Sequence, residues 1–85
     1  MKTEQIIALI MAEIERAEQL HPAWPRDLVK ASAIVAEEAG ETLQAANNYD
    51  ESRSGKRHII TEAIHTAATA MRLLKNINLE GIDHE

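Results

Sequence analysis

Apolar residues recur at helical spacing along nearly the whole chain, and nowhere do they alternate as a half-buried strand requires. Three blocks carry the pattern. The first, from about Glu4 to Gln19, gathers Ile6, Ile7, Ile10, Ile14 and Ala17 on one stripe, with Glu13, Glu15 and Arg16 on the other side. Thr3 suits its N-cap and Glu4 its first turn. The run His21-Pro22-Ala23-Trp24-Pro25 ends it, because each proline pushes the preceding residue out of helical geometry. The second block starts near Asp27, a good N-cap, and runs to about Asn47. Within it, Gly40 costs about 1 kcal/mol relative to alanine; close approach of a helix or ligand is one reason to keep it, chance the other. Asn47 to Gly55 is polar and holds several turn formers, so it reads as a loop. The third block begins near Ser54 or Gly55 and runs to about Ile77. Its apolar stripe is Ile60, Ala63, Ile64, Ala67, Met71, Leu74 and Ile77 or Asn78, and Gly81 marks a stop before an acidic tail. The expected fold is all-α: one domain over residues 1–85, an antiparallel helical bundle of three main helices.

Such a bundle has little to bury. The chain has 85 residues, no Phe and no Cys, and Trp24 and Tyr49 are its only aromatics. A chain of this size buries about 60–65% of the surface it exposes when unfolded. Small side chains each remove little area from water, at about 25 cal/mol per Å². The entropy of ordering the chain is of similar size. Self-association is therefore expected to complete the core, as a homodimer with a four-helix-type centre or a homotetramer. The second and third helices, the longest and richest in alanine, are expected to pair with their copies.

The net charge of −5 argues against a nucleic-acid polymer as partner. A polyphosphate ligand would likewise need a metal or a local cluster of Lys and Arg. Ile6 to Met11 is too short for a secretory leader and has acidic flanks; no run approaches a membrane span. A cytoplasmic protein with no membrane partner is expected.

The segment Ile34-Val35-Ala36-Glu37-Glu38-Ala39-Gly40-Glu41 is chemically the most informative. At about 3.6 residues per turn, one stripe collects Ala31, Ile34, Val35, Glu38, Glu41, Thr42 and Ala45. The opposite face takes Lys30, Glu37, Gly40, Gln44 and Asn47. Glu37 is thus solvated, whereas Glu38 and Glu41 are neighbours on a stripe meant for burial. At about 5 Å and an effective dielectric of about 20, their repulsion is roughly 3 kcal/mol. A cation or a proton relieves it; placing both heads in water at the rim of the stripe is an equally weighted alternative. A second pair at the same spacing, Glu62-Ala63-Ile64-His65, lies in the third block. With His58, Thr69, Arg72 and Asn76 it forms a polar stripe that by itself reads as a solvated face.

Together, Ile34 to Glu41 and Glu62-Ala63-Ile64-His65-Thr66-Ala67-Ala68 resemble the MazG-like all-α nucleoside triphosphate pyrophosphohydrolases. Those enzymes carry a helical E-x-x-E pair followed, one loop later, by a helical E-x-x-D pair. The likeness covers roughly Asp27 to Asn76. It implies that Glu38, Glu41, Glu62 and the His65 position hold Mg²⁺. It implies hydrolysis of a nucleoside triphosphate to monophosphate and pyrophosphate, in house-cleaning of the nucleotide pool. Glu37 or Glu38 would orient or deprotonate the attacking water. The departure is His65, where the family has aspartate. Imidazole is a poor ligand for magnesium and a good one for softer divalent ions. Fewer magnesium ions, a preference for Mn²⁺, a phosphate or base contact by His65, and binding without catalysis all remain open.

Trp24 stacking on a base, Asn47 reaching sugar or base, and Lys56 and Arg72 reaching phosphates complete the substrate-binding candidates. Packing, loop capping and solvated surface are the competing roles for each. Two further functions stand beside the main one. One is a phosphoribosyl-ATP pyrophosphatase-like enzyme. The other is a non-catalytic helical oligomer or adaptor with carboxylates at its interface.

Overall fold

The computed structural model describes residues 1–52 and 55–79, and among them every regular element is helical. Helix α1 spans Thr3–Leu20, α2 spans Leu28–Ser52 and α3 spans Lys56–Asn76. The expected stop at Gly81, the tail beyond it and Ser54 lie outside the described residues.

The helix ends follow local chemistry. Asp27 caps α2 as its residue type dictates: its Oδ1 accepts the Lys30 N–H at 3.0 Å. At α1 the cap falls one residue before Thr3. Gln5 Oε1 accepts the Lys2 N–H at 2.9 Å, and Lys2 O accepts the first helical bond from Ile6 N–H. The expected loop from Asn47 is corrected. Helix α2 runs on to Ser52, since no Gly or Pro occurs between Gln44 and Ser52 and polar side chains alone do not break a helix. Gly40 faces open space; a Cβ there would meet nothing within 4 Å. No close approach among the described residues accounts for it.

Helix α3 is the centre of the molecule. Both α1 and α2 pack against it, and no comparable packing joins α1 to α2. Helix α2 runs antiparallel to α3: Glu38 faces His65, and further toward the start of α2, Ala31 shares a cleft with Leu73. Helix α1 runs parallel to α3, with Glu13 beside His65 and Glu18 bonded to Lys75 at 2.7 Å. The order is up, down, up, with a cleft left between the two outer helices.

The side of α3 that turns inward includes its polar stripe as well as part of its apolar one. Arg72 is only 6% exposed, and Ala68 is the other buried residue of the helix. Glu62, His65 and Thr69 are partly buried; of the expected apolar stripe Ile64, Ala67 and Ile77 are partly buried too, while Ile60, Ala63, Met71 and Leu74 are exposed. This corrects the reading of the Glu62–Arg72 stripe as a solvated face. Small residues explain it: Ala68 on α3 and Ala31 and Ala45 on α2 are buried, so the helices approach over side chains too short to wall off their polar neighbours. Among the described residues the rest of the buried apolar set is Ile14 of α1.

Arg72 also fixes the chain between α1 and α2. One of its Nη groups donates to His21 O at 2.7 Å, and its guanidinium lies 4.9 Å from the centre of the Trp24 ring. A charge-assisted hydrogen bond contributes about 1.5–3 kcal/mol and a cation–π contact about 0.5–2 kcal/mol. Arg72→Ala should therefore lose about 2–4 kcal/mol in urea denaturation. Arg16→Ala, at an exposed side chain, should lose less than about 1 kcal/mol. Equal losses in the two variants would show that Arg72 does not hold the loop.

Candidate metal centre

The geometry of the site begins with two threonines. Thr42 stands four residues after Glu38 and Thr66 four after Glu62. Each hydroxyl reaches back to the carbonyl of its glutamate, at 3.1 and 2.9 Å, and the two hydroxyl oxygens lie 3.0 Å apart across the helix pair. Two protons serve three contacts, so the pair shares its bonds. The crossing pins the register of α2 against α3 and sets Glu38 opposite Glu62 and His65.

One imidazole then stands among three carboxylates. His65 Nδ1 lies 3.7 Å from Glu62 Oε2 and 3.9 Å from Glu38 Oε2. His65 Nε2 lies 3.6 Å from Glu13 Oε2 on α1. All of these separations exceed a hydrogen bond. Glu38 Oε2 and Glu62 Oε2 are buried and accept no hydrogen bond from the described residues. A buried carboxylate oxygen without a partner is costly unless something positive reaches it.

One donor atom each from Glu38, Glu62 and His65 lies within 4.8 Å of the other two. A divalent ion of magnesium's size holds oxygens at about 2.1 Å, so ligand pairs sit about 3–4 Å apart. Modest closure brings this set into range. The orphaned oxygens and the donor types therefore fit a divalent cation, and the nitrogen donor fits Mn²⁺ better than Mg²⁺.

Glu41 sits at the rim. It is exposed rather than buried, as one of the two alternatives for this residue had it, yet its carboxyl titrates above the ordinary value. Hydrogen bonding with Glu62 is the leading cause, followed by the charge of Glu38. Glu13 moves the other way. Its carboxyl is held below the ordinary value by its hydrogen bonds from Arg16, Nε to Oε1 at 2.8 Å and Nη to Oε2 at 2.6 Å.

Glu13, Glu38, His65, Trp24 and Arg72 border a common cleft of about 370 Å³ between α1 and α2. Two of the substrate-binding candidates, Trp24 and Arg72, thus stand beside the carboxylates. Trp24 offers only part of its ring, because Arg72 covers the rest. Arg72 Nε is buried and unpartnered. Glu37, Asn47 and Lys56 take no part in the cluster: Glu37 and Asn47 are exposed on the outer side of α2, and Lys56 Nζ lies 5.8 Å from the Tyr49 ring. Two participants escape a sequence reading. His58 Nε2 lies 3.4 Å from Glu62 Oε1; its i, i+4 spacing was the available signal. Glu13 was placed on the polar side of its helix, and nothing local distinguishes it from Glu15.

No protein-family model, curated protein or solved structure matches the chain.

A carboxyl whose folded-state pKa is raised costs stability as pH rises through that pKa, since the unfolded chain ionises first. Glu41→Gln removes the cost. In metal-free buffer the variant should match wild type below about pH 4 and gain in thermal midpoint as pH climbs above its ordinary value of 4.5. A gain confined to acid pH would refute the assignment.

Proposed function

We propose that the chain is a divalent-cation-dependent nucleoside triphosphate pyrophosphohydrolase, turning a canonical or modified (deoxy)nucleoside triphosphate and water into the monophosphate and pyrophosphate. One observation carries the reading: Glu38 Oε2 and Glu62 Oε2 are buried, have no hydrogen-bond partner among the described residues, and lie 3.9 and 3.7 Å from His65 Nδ1. The Glu38–Glu41 and Glu62–His65 spacings that resemble the MazG-like enzymes fall on these same residues.

When bound, the cation supplies neutralisation of the phosphate oxygens and a lowered pKa for water beside it. Glu38, Glu62 and His65 provide the donors, with Glu41 completing the acidic rim. Glu38 is the better candidate than Glu37 for orienting or deprotonating the attacking water, because Glu37 is exposed on the outer side of α2. Attack in line at the α-phosphorus expels pyrophosphate. The cleft beside the cluster, with Trp24 and Arg72 on its wall, receives the rest of the nucleotide. Most of the rate gain is positioning and electrostatics. The nitrogen donor favours Mn²⁺ over Mg²⁺.

The exposed apolar residues Ile6 and Ile7 of α1 and Ile60, Met71 and Leu74 of α3 support self-association, as a homodimer or homotetramer. Among the described residues no helix is long and apolar enough to cross a membrane. A cytoplasmic role in cleansing the nucleotide pool is consistent with the proposed reaction. The same exposed faces favour the second reading, a non-catalytic helical adaptor.

Pyrophosphate release from a panel of triphosphates, with Mg²⁺ and with Mn²⁺, tests the choice. Turnover is expected, faster with Mn²⁺, and Glu38→Gln should abolish it while keeping the helical circular dichroism of wild type. His65→Asp should tighten Mg²⁺ binding. Absence of turnover across the panel, together with no rise in melting temperature on adding either cation, would favour the adaptor instead.

A further inference from the structure

Glu13 is not among the residues that the proposed chemistry requires, yet it faces the imidazole at the centre of the cluster. Its Oε2 lies 3.6 Å from His65 Nε2, while His65 Nδ1 faces Glu62 Oε2 and Glu38 Oε2 at 3.7 and 3.9 Å. The two nitrogens thus have different tasks. A neutral imidazole has one N–H and one lone pair. With the N–H on Nδ1, the lone pair of Nε2 would face the Glu13 carboxylate. With the N–H on Nε2, it points at Glu13, and the Nδ1 lone pair joins the two orphaned carboxylate oxygens. A cation satisfies that second arrangement, as a further proton on the cluster also would.

We propose that Glu13 is a positioning residue, which holds His65 as an Nδ1 donor toward the Glu38 and Glu62 oxygens and so makes the centre a mixed nitrogen–oxygen site for manganese-type cations. The inference rests on the reading of this cluster as a cation centre. Three observations carry it. Glu13 is fixed before any ligand arrives: Arg16 holds both carboxylate oxygens, at 2.8 and 2.6 Å. Its side chain is 15% exposed, while that of Arg16 is 55% exposed, so the clamp closes from the solvent side. Glu13 also lies on a different helix from the donors, at the point where α1 reaches His65. A ligating imidazole whose second nitrogen donates to a carboxylate is a recurring arrangement in metal proteins, because the carboxylate fixes the tautomer and raises the basicity of the donor. A closure of a few tenths of an ångström makes the 3.6 Å contact a hydrogen bond.

The test titrates the full chain with Mn²⁺ alone, following free Mn²⁺ by electron paramagnetic resonance. Pulsed measurements on the bound ion read coupling to a directly coordinated nitrogen-14. Wild type should bind Mn²⁺ more tightly than Mg²⁺ and show the nitrogen coupling. Glu13→Ala should weaken Mn²⁺ binding about 10–100-fold and diminish the coupling. Glu13→Gln, which keeps an acceptor for the Nε2 proton, should recover part of both. Arg16→Ala, a change at an exposed side chain, should weaken binding by a few-fold without loss of helicity, which keeps the test decisive if the Glu13 variants fold poorly. Wild-type affinity and coupling in Glu13→Ala, or bound Mn²⁺ without nitrogen coupling in wild type, would overturn the positioning role and leave the cation centre standing. Failure of wild type to bind Mn²⁺ at all would overturn both.

Discussion

The contact between Thr42 and Thr66 is the interaction on which the site depends. It ties α2 to α3 at one register, and each hydroxyl is bonded in turn to the backbone of the glutamate one turn earlier. Had α2 slid along α3 by one turn, about 5.4 Å, Glu38 would no longer stand opposite Glu62 and His65. The threonines do not touch a ligand in this scheme. They fix the register at which Glu38 and Glu62 both face His65.

Bringing those carboxylates inward has a consequence for the whole surface. A helix has one circumference, and α3 spends its inner side on Glu62, His65, Thr69 and Arg72. Its apolar residues Ile60, Met71 and Leu74 are left exposed. Among the described residues the buried apolar set is small in turn, Ile14 with three alanines. At about 25 cal/mol per Å², alanines contribute little. The stability of a folded domain is a small difference between large opposing sums. A chain that devotes its central helix to polar chemistry therefore has reason to recover apolar burial elsewhere, and the outward faces of α1 and α3 are where that area remains.

Some of this was legible residue by residue. Asp27 reads as an N-cap and is one; Pro22 and Pro25 separate the first two helices; Glu38 reads as a carboxylate with an unusual address, and its Oε2 is buried, whereas Glu41, read the same way, is exposed. Other signals pointed the wrong way. Asn47 and Asn48 looked like the start of a loop, because asparagine favours turns, but the helical pattern around them prevailed until Ser52. Arg72 and His65 looked like surface because charged and titratable residues on a helix usually are. Arg72 is buried because its two partners, the carbonyl of His21 and the ring of Trp24, arrive from a segment about fifty residues earlier.

The sequence alone determined the number of helices, the proline break after α1 and the pairing of Glu38 with Glu41 and Glu62 with His65 on shared faces. Those follow from the pitch of a helix and the ring of proline, which act over a few residues. Only the tertiary structure decided which face of α3 turned inward, that Glu13 stands at the second nitrogen of His65, and that Arg72 lies under Trp24 rather than in water. A helix carries no local preference for which of two stripes to bury when one is apolar and the other can be paired. That choice is made by the neighbours it meets across the chain.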